Sequence, residues 1–365
     1  MEFTRRQVLA QATIAAAVYT LDPHELCCGS LAYAQTAGTE SFELRKVGDG
    51  VWAGIAAERY KVNSNAAVIE TNDGLVIVDS HSKPSAARSL YQEIQAVSKK
   101  PVKKIVNTHF HWDHWQGNEV YAQANPSLEI IASENMKAAL LRPNSGVGGV
   151  PFIETQLKNL PGEIAKLKED IQKAPDAATK ARLENNLQQA ESYQKELQNL
   201  KPAVPNRTIA QTTVLQEGGR EIRLMLLGRG HTDGDLYTYM PKEKVVITGD
   251  AVVDWMPFMN DGFPEDWART VGELEKLDIE RIIPGHGEPA PKTHLAQFRG
   301  YLGDLVGAVK KAGADGMPLD DMKKKISDDL APKYEAYFSR YPVGQYRDRV
   351  PVNIEAAYNK VVKKM

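Results

Sequence analysis

Cysteine is nearly absent from this 365-residue sequence, which has two, Cys27 and Cys28, both close to the N-terminus. Long apolar runs are missing as well. No window of eighteen or more uninterrupted apolar residues occurs, which argues against a helical membrane span. Neither sign of charge is in surplus: 45 Lys and Arg against 47 Asp and Glu leave a formal net charge of −2. No basic field therefore points to nucleic acid or to an anionic membrane surface. What remains is an ordinary soluble balance, 42% hydrophobic, 25% charged and 7% aromatic, on a chain long enough to bury a sizeable core.

The N-terminus has a separate character. In "TRRQVLAQATIAAAVYTL", Arg5 and Arg6 precede a mildly apolar stretch from Val8 to Leu21, and Ala32-Tyr33-Ala34 supplies small residues where a signal peptidase reads them. This resembles a bacterial secretory signal of the twin-arginine type. The expectation is a signal segment at 1–34, a main domain at 35–313 and a C-terminal helical extension at 314–365, in a periplasmic or secreted protein. Cleavage after Ala34 removes both cysteines, so the mature chain has no thiol and no disulfide.

Short strands are expected at 42–47, 51–56, 65–71 and 74–80, the last two joined by the Asn72-Asp73-Gly74 turn. A helix at 85–98 and a buried strand at 103–107 follow, then a strand at 128–133 and a helix at 134–141. From Pro161 to Lys201 the chain becomes charged and helical, with Ile164, Leu167 and Ile171 on one face and Leu183, Leu187, Ala190, Tyr193, Leu197 and Leu200 on another. This predicts an inserted helical hairpin with Asp176 as an N-cap. It is either a solvated pair of helices or a lid or homodimer contact. Strands return at 212–217, 221–228, 236–241, 244–250 and 279–284, with helices at 266–277 and 292–313 and two more near 318–330 and 351–364. Two β-rich halves, each closed by helices, predict an α/β fold: a four-layer αβ/βα sandwich.

The chemistry concentrates in "NTHFHWDHWQGN" (107–118), where the strand 103–107 ends. His109 and His111 can converge on one cation while Phe110 points elsewhere, and Asp113 and His114 can face a second. His231 in "GRGHTDGD", Asp250 in "VVITGD" and His286 in "IIPGHGEP" lie at matching positions beside glycines, which let backbone approach a metal closely. Five of the seven histidines beyond Ala34 fall in these motifs. Of the other two, His294 on a helix is read as structural, and His81, just beyond the strand end at Asp79, could line the rim of the site but is not counted among its residues.

"HFHWDH", "GRGHTDGD", "ITGD" and "PGHG", after an early "VIVDSH", resemble the metallo-β-lactamase superfamily from about residue 42 to 290. The resemblance implies a hydrolase with two Zn2+ per chain, iron or manganese being alternatives. His109, His111 and His231 would hold one metal, Asp113, His114 and His286 the other, with Asp250 bridging. Asp113 would also be catalytic, orienting the attacking hydroxide shared by the metals, and Asp79 would hydrogen-bond the metal loop from beneath. Asp250 departs from dedicated β-lactamases, where cysteine or serine is typical, and looks more like glyoxalase II thioesterases and lactonases. Export suits a β-lactamase better. The implied substrate is a small molecule with an ester, lactone, lactam or related bond. A redox enzyme holding iron, or a binding protein with a structural metal, are the alternatives outside hydrolysis. The aromatic segment "DWMPFMNDGFPEDW" (254–267), with Trp112 and Trp115, is either core or an apolar pocket wall.

The export expectation is tested on the paired arginines. Changing Arg5 and Arg6 together to lysine should retain the protein in the cytoplasm, while the unaltered protein matures to an N-terminus near Gln35. Periplasmic recovery of the variant at the normal level contradicts the twin-arginine route.

Overall fold

Alternation along the strands decides the layering. The computed structural model describes residues 42–57, 64–143, 147–339 and 345–364; the expected signal segment lies outside them. The first sheet runs β1 (Phe42–Gly48), β2 (Val51–Ala56), β3 (Ala66–Glu70), β4 (Leu75–Val78), β5 (Val102–Val106), β6 (Glu129–Ser133) and β7 (Arg207–Ile209), paired in that order. The β1-to-β4 pairs are antiparallel and the β4-to-β7 pairs parallel. The second sheet contains β8 (Thr213–Glu217), β9 (Arg220–Met225), β10 (Tyr237–Met240), β11 (Val245–Gly249), β12 (Arg281–Pro284) and β13 (Ala290–Pro291), in the order β13-β12-β11-β10-β9-β8.

Because side chains alternate across a strand, Val51, Ala53, Ile69, Val76, Val78 and Val106 point inward from the first sheet. They meet Leu215, Ile222, Leu224, Val245, Ile247 and Ile283 of the second. Trp52, Val68, Ile77 and Ile105 point the other way, onto Leu90 and Ile94 of α1 (Pro84–Val97) and Val120 and Tyr121 of α3 (Asn118–Ala124). The outer face of the second sheet is covered by α7 (Pro264–Glu275), α8 (Thr293–Ala314), α9 (Leu319–Phe338) and α10 (Tyr346–Ala357). The expected four layers are present. Among the described residues no helix is long and apolar enough to cross a membrane.

The hairpin is formed by α5 (Phe152–Gln172) and α6 (Ala177–Asn199). Asp176 caps α6, its carboxylate accepting from the Thr179 N–H at 2.7 Å. Sequence periodicity placed the start of the hairpin at Pro161, but the helix begins at Phe152 and Pro161 lies inside it. Pro332 and Pro351 likewise lie inside α9 and α10: α9 runs on to Phe338, past the expected 318–330, and α10 starts at Tyr346, before the expected 351, and continues as a π-helical turn through Val362. A proline within a helix removes one hydrogen bond and costs roughly 3 kcal/mol. Burial of Leu160 and Ile164, of Tyr334 and Phe338, and of Val350 and Ile354 around these prolines outweighs that cost.

Nor is the hairpin a solvated pair. Leu160, Ile164, Ala190 and Leu197 share one core with Phe110, Trp115, Met136 and Leu140 of the main body, a packing fixed further by Glu196, whose carboxylate accepts from Ser85 N and Oγ, both at 2.7 Å. Leu197 is 2% exposed. Leu197→Ala should cost about 2–5 kcal/mol in urea unfolding, whereas Lys168→Ala on the outer face should stay within roughly 0.5 kcal/mol of the parent. Equal, negligible effects would detach the hairpin from the core.

Candidate active site

Every predicted ligand sits where a strand runs out. His109 and His111 follow β5, and Asp113 and His114 lie on the short α2 (Trp112–Trp115). His231 follows β9, Asp250 follows β11 and His286 follows β12. These are loops carried by a rigid sheet edge, the usual place for binding groups. The structure brings all seven together in two groups: His109, His111, His231 and Asp250, and Asp113, His114 and His286. Within each group the nearest ligand atoms lie within 4.8 Å of one another. Asp250 sits between the groups. Its Oδ2 is 4.0 Å from His109 Nε2, 3.7 Å from His231 Nε2 and 3.2 Å from His286 Nε2, and its Oδ1 is 3.3 Å from His114 Nε2. Close approach needs glycine here: a Cβ on Gly285 would stand 2.0 Å from Asp250 Oδ1.

The imidazoles are oriented from behind. A carboxylate or carbonyl oxygen can only accept, so the ring nitrogen facing it must carry the proton. Asp79 Oδ2 lies 2.7 Å from His114 Nδ1 and accepts the Thr108 hydroxyl at 2.7 Å, while Oδ1 takes the Thr108 N–H at 2.8 Å. The Thr108 hydroxyl, its proton thus committed, accepts from His109 Nδ1 at 3.0 Å. Asp261 Oδ2 lies 3.0 Å from His111 Nε2, and the Phe258 carbonyl 3.1 Å from His231 Nδ1.

The remaining nitrogens His109 Nε2, His111 Nδ1 and His231 Nε2 therefore turn lone pairs inward, while His114 Nε2 faces Asp250 Oδ1 at 3.3 Å. His111 Nδ1 and His231 Nε2 stand 2.9 Å apart. Two lone pairs at that separation repel unless a cation lies between them. His109 Nε2, His114 Nε2 and Asp250 Oδ1 are buried and complete no hydrogen bond within the protein. Such orphaned polar atoms, made of imidazole and carboxylate, fit a borderline divalent metal such as zinc.

Electrostatics follow the same division. Burial, then the neighbouring imidazoles, hold the His109 pKa well below the usual imidazole value. Burial and His111 depress His231 to about 3. Burial also opposes charge on His114, yet Asp250, Asp113 and Asp79 raise its pKa well above normal. Burial opposes charge on Asp250 too, but His286 and His114 hold it well below the carboxylate range. The centre is thus built to keep positive charge beside Asp250. His114 could hold a metal there only after giving up that proton, so metal uptake should strengthen with rising pH.

A cavity of about 680 Å³ opens onto His111, Asp113, Asp250 and His286. Its walls come from Trp112, from Trp255, Met256 and Phe258, and from the hairpin residues Gln156, Leu160 and Tyr193; Lys83 and Arg349 also line it. The aromatic segment therefore divides its roles. Trp255 and Phe258 line the cavity, Met256 lines it while also packing in the core, and Met259 and Trp267 are fully buried in the core of the second sheet. Trp115 is core as well, its indole N–H bound to Phe110 O and Gly148 O. His81 does not reach the rim: it is fully buried, packs on Phe42 at 4.3 Å and holds Ser64 O at 2.8 Å. His294 lies buried between Tyr337 Oη and Val253 O, a structural histidine.

Sequence reasoning missed Thr108, Asp261 and the polar ring in which Gln116, Gln156 and Tyr193 bond one another. Thr108 was adjacent to a motif and unremarked; Asp261 was hidden in an Asn260-Asp261-Gly262 stretch that reads as a turn.

Two facing sheets with histidine and aspartate loops gathered at one edge define the class: a two-sheet sandwich with a candidate paired metal centre. The chain matches the family model described as the metallo-beta-lactamase superfamily over residues 59–286, more than half its length, and belongs to that superfamily. It is similar to the linear primary-alkylsulfatase of Pseudomonas sp. (strain ATCC 19151), 21% identical over 244 residues, which is 61% of this chain but 41% of that protein. A metallo-beta-lactamase type 2 of Bacillus sp. (strain 170) is 22% identical over 240 residues, 64% of this chain and 70% of the relative. Among solved structures, the stereoselective inverting sec-alkylsulfatase Pisa1 from Pseudomonas sp. shares the fold with a TM-score of 0.62 at 17% identity, over 87% of this chain and 50% of that one. The chain thus spans about half or less of the length of the alkylsulfatases it matches, and the named relatives are alkylsulfatases and metallo-beta-lactamases.

Asp79→Asn tests the support beneath the site. The amide keeps one acceptor and tolerates the positive φ of 61° at this position, but it sets an NH2 group against the Thr108 and His114 donors. The loss should be about 1–3 kcal/mol in urea unfolding of metal-free protein, with zinc affinity reduced about 10–100-fold. Unchanged stability and affinity would remove Asp79 from this role.

Proposed function

We propose that this protein is an exported dinuclear zinc hydrolase that cleaves an ester-type bond, lactones and lactams included, in a small molecule with an apolar body. The observation that carries the proposal is the position of Asp250, one carboxylate within 4.0 Å of imidazoles from both groups. His109, His111 and His231 would hold one metal ion and Asp113, His114 and His286 the other. Bound zinc ions in such a pair lower the pKa of water to about 7 and polarise the bond under attack.

The chain's own residues supply the rest. Asp113 lies in the cavity with Oδ2 3.4 Å from His286 Nε2, placed to accept a proton from the attacking water and return it to the leaving group. Trp112, Trp255, Met256 and Phe258 exclude solvent around the bond and receive the apolar part of the substrate. Gln156 and Asn159 of the hairpin, which line the same cavity, offer polar contacts to the substrate. Export rests on the Arg5-Arg6 pair and the Ala32-Tyr33-Ala34 segment.

A second reading is a sulfate ester as the bond cleaved. It is favoured by Lys83 and Arg349, two cationic residues lining the cavity, together with the likeness to alkylsulfatases. A zinc-loaded panel of aryl carboxylic esters, homoserine lactones, a chromogenic cephalosporin, thioesters, and sulfate and phosphate esters separates these readings. No turnover of any member contradicts the hydrolase proposal.

Asp250→Ser tests the bridge. The variant should fold and retain the first metal, while hydrolysis at limiting zinc falls by at least about 10–100-fold and excess zinc restores part of it. Elemental analysis titrated against activity gives the result. Two tightly held metals with unchanged turnover contradict bridging.

A further inference from the structure

One loop, residues 254–263, touches three of the six metal-facing side chains other than Asp250. Phe258 O takes the proton of His231 Nδ1 at 3.1 Å, Trp255 stacks on the His286 ring at 4.9 Å and 22°, and Asp261 accepts from His111 Nε2 at 3.0 Å. The last contact differs in kind from the other two. His111 is the one imidazole of the centre that faces it through Nδ1, and it stays in that orientation only while the proton resides on Nε2. A free imidazole exchanges its proton between the two nitrogens. A carboxylate at 3.0 Å accepts but cannot donate, so it holds the proton on Nε2 and makes Nδ1 the stronger donor to a metal. The two side chains are largely sheltered, 4% exposed for His111 and 24% for Asp261, so solvent dilutes the contact only in part.

We propose that Asp261 is a positioning residue for the first metal: its carboxylate fixes the tautomer and ring orientation of His111. The proposal rests on the reading of His111 as a ligand. It reaches beyond the family motifs, since Asp261 belongs to none of them and lies in the same loop whose Trp255, Met256 and Phe258 form the cavity wall. The wall that receives the substrate and the clasp that orients the ligand are then one element, and displacement of that wall reaches the first metal site through Asp261. Asp261 also takes the backbone N–H of Val147, so simple anchoring of the loop is the competing role.

The test uses the full mature protein and two readouts other than turnover. Stepwise zinc affinity is measured by competition with a chromophoric chelator, and histidine tautomers of the metal-free protein by 15N NMR. In D261A the His111 signal should leave the Nε2–H form and the first-zinc affinity should fall about 10–100-fold, with second-zinc affinity changed by less than about threefold. Loop anchoring alone would loosen the cavity wall but leave the tautomer unmoved. D261A that keeps the Nε2–H form and binds the first zinc within about threefold of the parent overturns the proposal. If D261A fails to fold, D261N decides, since its amide oxygen keeps the loop contacts without the charge. First-zinc affinity should then drop at least about threefold, and no drop overturns the proposal. A parent protein that takes up no zinc, or a His111→Ala variant that holds both ions undiminished, overturns the ligand reading itself. Failure there is therefore distinct from failure at Asp261.

Discussion

The buried carboxylate of Asp79 is the constraint on which the rest of the centre depends. It is 2% exposed and receives three hydrogen bonds, from Thr108 N, Thr108 Oγ1 and His114 Nδ1. Through the Thr108 hydroxyl it also sets His109. One group at the end of β4 thus fixes the tautomers of an imidazole in each half of the site. The arrangement is stable because every proton has one destination: those on the outward nitrogens go to fixed oxygens, which leaves the inward nitrogens of His109, His111 and His231 as acceptors. Buried acceptors without donors are costly, so the fold commits its central polar atoms to a cation. Histidines 109 and 231 resist protonation while His114 retains it, and Asp250 stays charged among them.

The substrate cavity is assembled from segments far apart in the chain. The loop after β11, the helix bearing Asp113, the hairpin and α10 each supply part of its lining. The hairpin is tied to the body by shared core around Trp115 and Leu197 and by Glu196 at the N-terminus of α1. A wall fixed in this way is preorganised, which spares the substrate the cost of ordering it. The Gln116–Gln156–Tyr193 ring joins this wall to the segment that carries Asp113 and His114, so wall and metal loop share one hydrogen-bonded junction.

Much of this was legible before the fold was known. The strands could be read because short apolar, β-branched runs bounded by turn residues match sheets buried on both faces, and the seven ligand positions because glycine-flanked histidine and aspartate motifs at strand ends have few other uses. Three kinds of feature were not legible. Helical stretches were expected to begin at Pro161 and Pro351 and one to end short of Pro332, yet tertiary burial carried the helices through all three. The hairpin's apolar stripes showed that it packs, not on what. Trp112 and Trp115, three residues apart and alike in sequence, part company because α2 turns one to the cavity and the other into the core. Asp261 carried no local signal, since its meaning lies in a contact 150 residues away in the chain.

The central claim is a paired cation site bridged by Asp250. Anomalous scattering at the zinc absorption edge from a zinc-loaded crystal tests it most directly. The account predicts two peaks roughly 3.5–4 Å apart, one bounded by His109, His111 and His231, the other by Asp113, His114 and His286, with the Asp250 carboxylate between them. A single peak in full zinc, or two peaks that Asp250 does not join, would contradict it.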